Sequence, residues 1–322
     1  MKNEKALKTC LLIAPISFYS YSEYIKNTLI LRGYNVTVSN DEYPANTIGK
    51  ILGKLRIPLL MYLTCKTITQ KYLQGKSYDL VLIIKGRGMS AKLIKRLKEV
   101  SPKVIGYTYD SFRYHKAPAK WFNYVDKFYT FDYLDSERYN IPVIELFSSF
   151  PESHNSQKYT YEISVITRNH SDRLKYIDQV LSHLNMEKKF IYIFEQNIFT
   201  FIQNFIKSPL LYFKFRKHIS FKSLSYAEYS KALQESNFTI DFAHPSQSGI
   251  TIRCFEALSS GTKIITNNPF VSRYKYFNET NTIIYNNTTD PEILRKQFSL
   301  IENNTPDKHN RTISNFIEYL IS

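Results

Sequence analysis

Short, almost wholly apolar runs recur along this chain, and each is followed by a segment with helical spacing. Residues 8–16 (KTCLLIAPI) are the first. A run of that kind, bounded by charge on one side and proline on the other, suits a strand covered on both faces. Tyr24, Ile25, Leu29 and Leu31 then fall at helical spacing, with Gly33 as a stop. Residues 34–38 (YNVTV) give a second strand. The pattern continues with a helix over 48–75, a strand over 78–84 (YDLVLII) and a turn at Lys85-Gly86-Arg87-Gly88. A helix over 91–98 capped by Ser90, a strand over 104–109, a helix over 121–128 and a short strand at 130–131 follow. Strands alternating with helices predict a doubly wound parallel sheet.

Residues 149–160 (SFPESHNSQKYT) break the pattern with polar turn formers, and a second series starts after them. Strands are expected at 161–166, 190–194, 238–242, 263–267 and 282–285. Helices are expected at 174–184, 225–236, 249–259, 290–302 and 311–321. At 322 residues the chain exceeds what one core normally supports. The expectation is two Rossmann-like α/β domains facing each other across a cleft, 1–150 and 151–322, with the last helix packing back on the first. Open α/β sheets bind ligands beyond the C-terminal ends of their strands, so the loops that follow strands are where chemistry is sought.

Composition narrows the class. Hydrophobic residues are 43% and charged residues 22%, with 9 glycines and 12 prolines, which is globular rather than low-complexity. Cys10, Cys65 and Cys254 form an odd set without CxxC spacing, arguing against a disulfide framework or zinc ribbon and for a reducing compartment. The charged N-terminus and short apolar run at 10–16 read as a first strand rather than a signal segment. No run approaches the roughly 20 apolar residues that span a bilayer. The Asn-x-Ser/Thr triplets therefore carry no weight. The net charge of +15 attracts polyanions without choosing among nucleic acid, anionic lipid and phosphorylated substrate.

The most informative stretch is 244–268 (HPSQSGITIRCFEALSSGTKIITNN): a loop with a glycine, a helix, a glycine stop and a strand. Gly249 permits close approach of backbone to a phosphate, and the N–H groups of a helix start supply donors. Glu256 is placed to accept both hydroxyls of a nucleotide ribose. Arg168, His170, Asp172 and Arg173 follow the first strand of the second series, where a cation can stabilise a leaving diphosphate; Arg173 is the preferred one. Asp172 equally suits a helix start.

This stretch resembles GT-B glycosyltransferases, and its His-Pro, Gly-Ile-Thr, Arg and Phe-Glu-Ala-Leu order is similar to the CgeB-like group and to proteins of lipopolysaccharide or capsule synthesis. Blocks at 83–88 (IIKGRG), 109–111 (YDS), 128–132 (FYTFD) and 170–173 (HSDR) extend the resemblance over nearly the whole chain. It implies a nucleotide-sugar donor, handled as a substrate with no separate cofactor. Gly249, Ile250 and Thr251 would offer backbone N–H groups to its diphosphate, Arg253 would neutralise phosphate charge, and Glu256 would hold the ribose. His244 would touch sugar or phosphate. The competing readings are a solvent-facing Arg253, a turn-forming His244 and an ordinary surface Glu256. Many retaining members carry a second glutamate eight positions before; here that position is Ser248, which leaves the stereochemical outcome open.

An inverting enzyme needs a base for the acceptor hydroxyl, and Asp110 at a strand end is the best-placed carboxylate, with Glu23 and His115 as alternatives. Asp110 as a cap of the following segment competes. The turn at 85–88 lacks full Gly-x-Gly-x-x-Gly or Walker spacing and reads as a lining of the acceptor side, or simply a turn. No metal-ligand cluster, Asp-x-Asp or Gly-x-Ser-x-Gly is present. Residues 50–66 and 198–222 mix aromatics with lysine and arginine, which suits an anionic membrane surface or core helices with solvated lysines. The leading expectation is sugar transfer to a cell-surface glycan or lipid-linked acceptor at the cytosolic membrane face. A nucleic-acid-binding protein ranks low because no helix-turn-helix, RRM or finger signature is present. A non-catalytic sugar-nucleotide-binding subunit with the same fold is the third reading.

Overall fold

The computed structural model describes residues 7–16, 21–46, 58–150, 159–169, 171–286, 288–306 and 308–322. The chain divides into two compact units. The first comprises Met1–Leu146, Ser246–Gly249 and Thr312–Ser322, and the second Phe147–Pro245 and Ile250–Arg311. The change of unit falls at 146/147, against 150/151 expected, and the chain returns twice to the first unit. Residues 151–158 of the expected linker lie outside the described residues.

In the first unit β1 (Lys8–Ile13), β2 (Tyr34–Ser39), β3 (Leu80–Ile84), β4 (Val104–Thr108) and β5 (Lys127–Thr130) form one sheet in the order β2-β1-β3-β4-β5. Every pairing is parallel. All residues of β3 and β4 are buried, which is why these runs show no alternation. Helices α1 (Tyr21–Leu31), α2 (Pro58–Ile68), α3 (Ala91–Val100) and α4 (Tyr133–Tyr139) complete this part of the unit. Ser90 caps α3 by accepting the Leu93 N–H at 3.3 Å. The helix expected over 48–75 is described from Pro58 onward; 48–57 lie outside the described residues.

The expected helix over 121–128 is replaced by two 3-10 turns, Pro118–Lys120 and Phe122–Tyr124. Trp121 between them is fully buried and donates its Nε1–H to the Gly86 carbonyl at 3.1 Å. Satisfying that indole in the core breaks the helical register. Gly86 has φ of +62°, and a Cβ there would lie 2.4 Å from the Trp121 ring, so the turn after β3 depends on this glycine.

The second unit carries β6 (Tyr161–Arg168), α5 (Arg173–His183), β7 (Lys189–Phe194), α6 (Ile198–Lys207), α7 (Pro209–Phe215), β8 (Ile219–Ser220), α8 (Tyr226–Gln234), β9 (Ser236–Asp241), α9 (Ile252–Ser260), β10 (Lys263–Thr266), β11 (Thr282–Ile284) and α10 (Pro291–Ile301). Its sheet runs β11-β10-β9-β6-β7-β8, again all parallel. Ile163, Val165, Ile177, Val180, Phe238, Ile265 and Leu294 lie in its core.

The last helix, α11 (Ile313–Ile321), belongs to the first unit. Phe316, Ile317 and Leu320 are buried, and the Phe316 ring meets Tyr107 of β4 edge-on at 5.0 Å. Arg32 donates to the Ser314 carbonyl at 2.8 Å, and Lys103 to the Ile321 carbonyl at 2.5 Å. A cation at a helix C-terminus meets the negative end of its dipole. Both units are parallel-sheet α/β domains, the architecture the strand–helix alternation implies.

Candidate functional site

In the second sheet β7 lies on one side of β6 and β9 on the other. Strand order reverses between β6 and β9, and the C-terminal edge at such a switch point is where two loops part and leave room for a ligand. Arg173, the first residue of α5, sits at this edge. Its guanidinium donates to Thr167 Oγ1 at 3.2 Å and the Arg168 carbonyl at 3.3 Å on β6, and to the Phe242 carbonyl at 3.3 Å just beyond β9. It therefore ties the two strand ends together. His244 follows two residues after Phe242, and burial together with the neighbouring Arg173 charge lowers its pKa below the usual value of 6.5. Both effects favour the uncharged imidazole. Of the remaining candidates here, Asp172 is the N-cap residue of α5 without a side-chain capping bond, and His170 lies outside the described residues.

The loop and helix after β9 are organised by Asp241, which the sequence reading did not single out. Asp241 is fully buried and accepts from Thr251 Oγ1 at 2.7 Å and from Arg253 Nη1 at 3.4 Å. Arg253 accordingly turns inward onto a carboxylate rather than out to solvent. Burial works against its charge, but Tyr229, Asp241 and Glu256 outweigh that and raise its pKa. Because Thr251 uses its hydroxyl on Asp241 and keeps an extended backbone, α9 starts at Ile252 rather than 249, and no side chain caps it. Gly249 and Ile250 thus precede the helix. Ile250 is buried.

Gly249 has a reason to be glycine that the sequence does not reveal. A Cβ there would stand 2.3–2.7 Å from atoms of the Phe131 ring, so an aromatic ring fills the space beside its Cα. The short return at Ser246–Gly249 is bonded into the first unit. The Ser246 carbonyl accepts from Ser111 Oγ at 2.6 Å, and the Ser248 N–H donates to Asp132 Oδ2 at 2.6 Å. Ser248 Oγ accepts the Leu134 N–H at 2.9 Å. The serine at the position of the missing glutamate is thus engaged in holding the loop.

Glu256, on α9, is 3% exposed. Its Oε1 accepts from Ser149 Oγ at 2.9 Å and its Oε2 from the Tyr229 hydroxyl at 2.6 Å. Burial pushes its pKa up to about 7, against the opposing pull of those two hydroxyls and of Arg253. A ribose diol would have to replace or share these hydroxyls. Deeper in the same unit, Glu195 after β7 is buried and accepts from Asn204 at 3.1 Å and from the Tyr212 hydroxyl.

The first sheet reverses its strand order between β1 and β3. Lys85 follows β3 with φ of +67°, a left-handed conformation that costs a lysine about 1–2 kcal/mol. Its ammonium pairs with Asp110 Oδ2 at 2.6 Å and lies 5.0 Å from the centre of the Tyr109 ring. Asp110 Oδ1 accepts from Gln247 Nε2 at 3.3 Å. As a base, Asp110 works with both oxygens already in contact with donors. Beside it, buried Asp41 accepts the Arg87 N–H at 3.0 Å; burial raises its pKa to about 6, with Arg87 opposing and Glu42 adding. Arg87 also reaches Glu42 at 3.4 Å and donates Nε–H to His115 Nε2 at 3.1 Å. Of the alternative bases, His115 is therefore in this cluster, whereas Glu23 is an exposed partner of Lys26 at 3.0 Å on α1.

The structure thus gathers Arg173 and His244 at one switch point, Thr251 and Arg253 on Asp241, and Asp110 in a separate cluster of the first unit. Asp41, Asp241 and Glu195 escaped the sequence reading, although each lies at the end of a strand or just beyond it, the position where such residues are expected. Among the described residues no group of three or more His, Cys, Asp or Glu side chains is placed to hold a metal ion.

No protein-family profile matches the sequence, and no curated protein matches it. Solved structures do. A sucrose-phosphate synthase from Thermosynechococcus elongatus superposes with a TM-score of 0.58 at 11% identity, over 98% of this chain and 95% of that one. The chain has the GT-B fold. The lipopolysaccharide outer core galactosyltransferase WaaB shares the GT-B architecture at a TM-score of 0.54 and 12% identity, over 98% and 96% of the two chains. A UDP-GlcNAc 2-epimerase from Methanocaldococcus jannaschii, solved with UDP-GlcNAc and UDP, matches at 0.52 and 12% identity over 98% and 99%. At these identities the likeness is one of GT-B fold, which hosts both transfer and epimerisation.

Proposed function

We propose that this chain is a glycosyltransferase that takes a nucleotide-sugar donor in its second unit and passes the sugar to a cell-surface glycan or lipid-linked acceptor. The observation that carries the reading is Arg173 spanning the ends of β6 and β9 at the switch point. A guanidinium fixed there is pre-oriented towards an incoming diphosphate. His244 can donate or accept at the sugar. The uncapped start of α9 adds backbone donors, with Gly249, Ile250 and Thr251 leading into it. Arg253 adds positive charge next to the same helix start while staying anchored on Asp241. Glu256 is assigned to the ribose, reached by displacing the Ser149 and Tyr229 hydroxyls. The WaaB likeness supports a glycan acceptor, and the epimerase complex supports UDP as the first nucleotide to try.

In an inverting transfer the acceptor oxygen bonds to the anomeric carbon as the bond from that carbon to the diphosphate breaks. The acceptor proton goes to a base, which we assign to Asp110; Lys85 holds its other oxygen and fixes the carboxylate. The test begins with thermal shifts for UDP, GDP, CMP, CDP, ADP and dTDP, with and without magnesium. Arg173→Ala should abolish the shift and lower transfer by about 10²–10³-fold, whereas Asp110→Asn should keep the shift and lose transfer. No shift with any nucleotide would defeat the donor assignment, and full transfer by Asp110→Asn would remove Asp110 as the base. The epimerase likeness favours one second reading, inversion within the sugar nucleotide itself. A new sugar nucleotide formed without acceptor would establish it.

A further inference from the structure

The second unit exposes an apolar surface unlike anything its core requires. Helix α6 has a side-chain and backbone capping box at Asn197 and Thr200, yet none of its residues is buried. Phe199 is 75% exposed and Ile206 71%, and Ile198, Ile202 and Phe205 are exposed beside them. The next helix, α7, buries Tyr212 and Phe215 and leaves Leu210 85% and Phe213 65% exposed. Phe221, just past β8, is also exposed. The inner side of the pair is fixed: Phe201 packs on the core, and Tyr212 lies edge-on to Phe201 at 5.5 Å. The outward residues are therefore held in place on helices and remain exposed among the described residues.

Charge selects the occupant. Between residues 196 and 227 the sequence contains no aspartate or glutamate, but it carries Lys207, Lys214, Arg216, Lys217 and Lys222. All five are exposed. Arg216 lies 4.3 Å from the centre of the Phe213 ring, and Lys214 pairs with Asp178 at 2.5 Å. Four cations thus remain without a carboxylate in the segment itself, alternating with large apolar side chains. A protein partner or a second copy covering eight such apolar groups would have to supply matching acidic groups, and this segment has none to offer a copy of itself. An anionic bilayer supplies both needs at once: an apolar layer just below a sheet of negative headgroups.

We propose that α6, α7 and Phe221 form a docking surface for anionic membrane, with Phe199, Ile206, Leu210 and Phe213 entering the headgroup–acyl boundary. Lys207, Arg216, Lys217 and Lys222 then sit at the phosphates. The helices are too short to span and lie in the interface. This inference stands on the surface alone, so it survives or fails independently of the donor and acceptor assignments.

The experiment is co-sedimentation of the full chain with vesicles of phosphatidylcholine alone or mixed with phosphatidylglycerol. The protein should pellet with the mixed vesicles only, and less as salt rises. The variant Phe199→Ser/Leu210→Ser/Phe213→Ser should bind at least about tenfold more weakly, with an unchanged melting temperature because these side chains are exposed. Lys217→Glu/Lys222→Glu should weaken binding by a similar factor. As a control, Leu31→Ser, 87% exposed on α1, should bind as the unaltered chain does. Undiminished binding by both altered proteins would overturn the proposal, as would no binding to mixed vesicles. Concentration-dependent dimerisation abolished by the serine substitutions, with no vesicle binding, would assign the surface to a second copy instead.

Discussion

Glu256 holds a carboxyl between two hydroxyls in a nearly dry site, and its pKa of about 7 has a direct thermodynamic consequence. Its unfolded value is the ordinary 4.5. A carboxyl whose folded pKa is raised contributes stability in its protonated form. That contribution is complete below about pH 4.5 and is lost as pH rises through about 7. Glu256→Gln keeps a neutral side chain at every pH. Between pH 5 and 8 the unaltered protein should therefore lose stability relative to this variant, by on the order of 2–3 kcal/mol. Denaturant unfolding of both proteins at several pH values checks this; a constant difference would mean that Glu256 is ionised throughout. The motif around Glu256 was legible because Arg253, Glu256 and Gly261 keep a helical spacing and a stop. Its surroundings were not. Ser149 lies 107 positions away, and nothing local to either residue records that the fold brings them together. Asp241 was missed for a related reason: a single aspartate ending a strand looks the same whether it is solvated or buried under three donors.

At the scale of elements, the stretch between β9 and α9 shows how one pattern can have more than one cause. Glycine followed by a helix was legible, but the helix begins three residues later, because Thr251 spends its hydroxyl on Asp241. The glycine itself accommodates Phe131. Gly249→Ala should therefore destabilise the fold by about 1–3 kcal/mol through overpacking, read as a lower urea midpoint with an unchanged slope. Equal stability would show that the Phe131 ring can move aside. The strands were the easiest elements to read, since burial on both faces writes itself into the sequence as uninterrupted apolar runs. Trp121 illustrates the opposite case: an aromatic-rich segment has helical-looking spacing, and only the core hydrogen bond to Gly86 reveals turns.

For the molecule as a whole, α11 is as much a part of the first unit as the strand β4 and helix α1 that it packs on. Phe316→Ala removes a buried ring packed on Tyr107 and should cost about 3–5 kcal/mol. The effect should fall on the first unit, so limited proteolysis of this variant should cut first within residues 21–146. Early cleavage within 160–300 instead would mean that α11 stabilises the other unit. Two series of strands were legible along the chain, because a polar break separates them. The order of elements does not record that four residues in the middle of the second series, Ser246–Gly249, are counted with the first unit.

That interleaving bears on how the protein is made. Strands β1 to β5 emerge from a ribosome long before the segments that complete their unit, Ser246–Gly249 and Thr312–Ser322. Domains ordinarily fold in the order of synthesis, but here the earlier one is completed only when the later one has been translated. Through that interval the surface destined for Phe316, Ile317 and Leu320 is uncovered, and a nascent chain paused after α10 would expose that apolar surface to its surroundings.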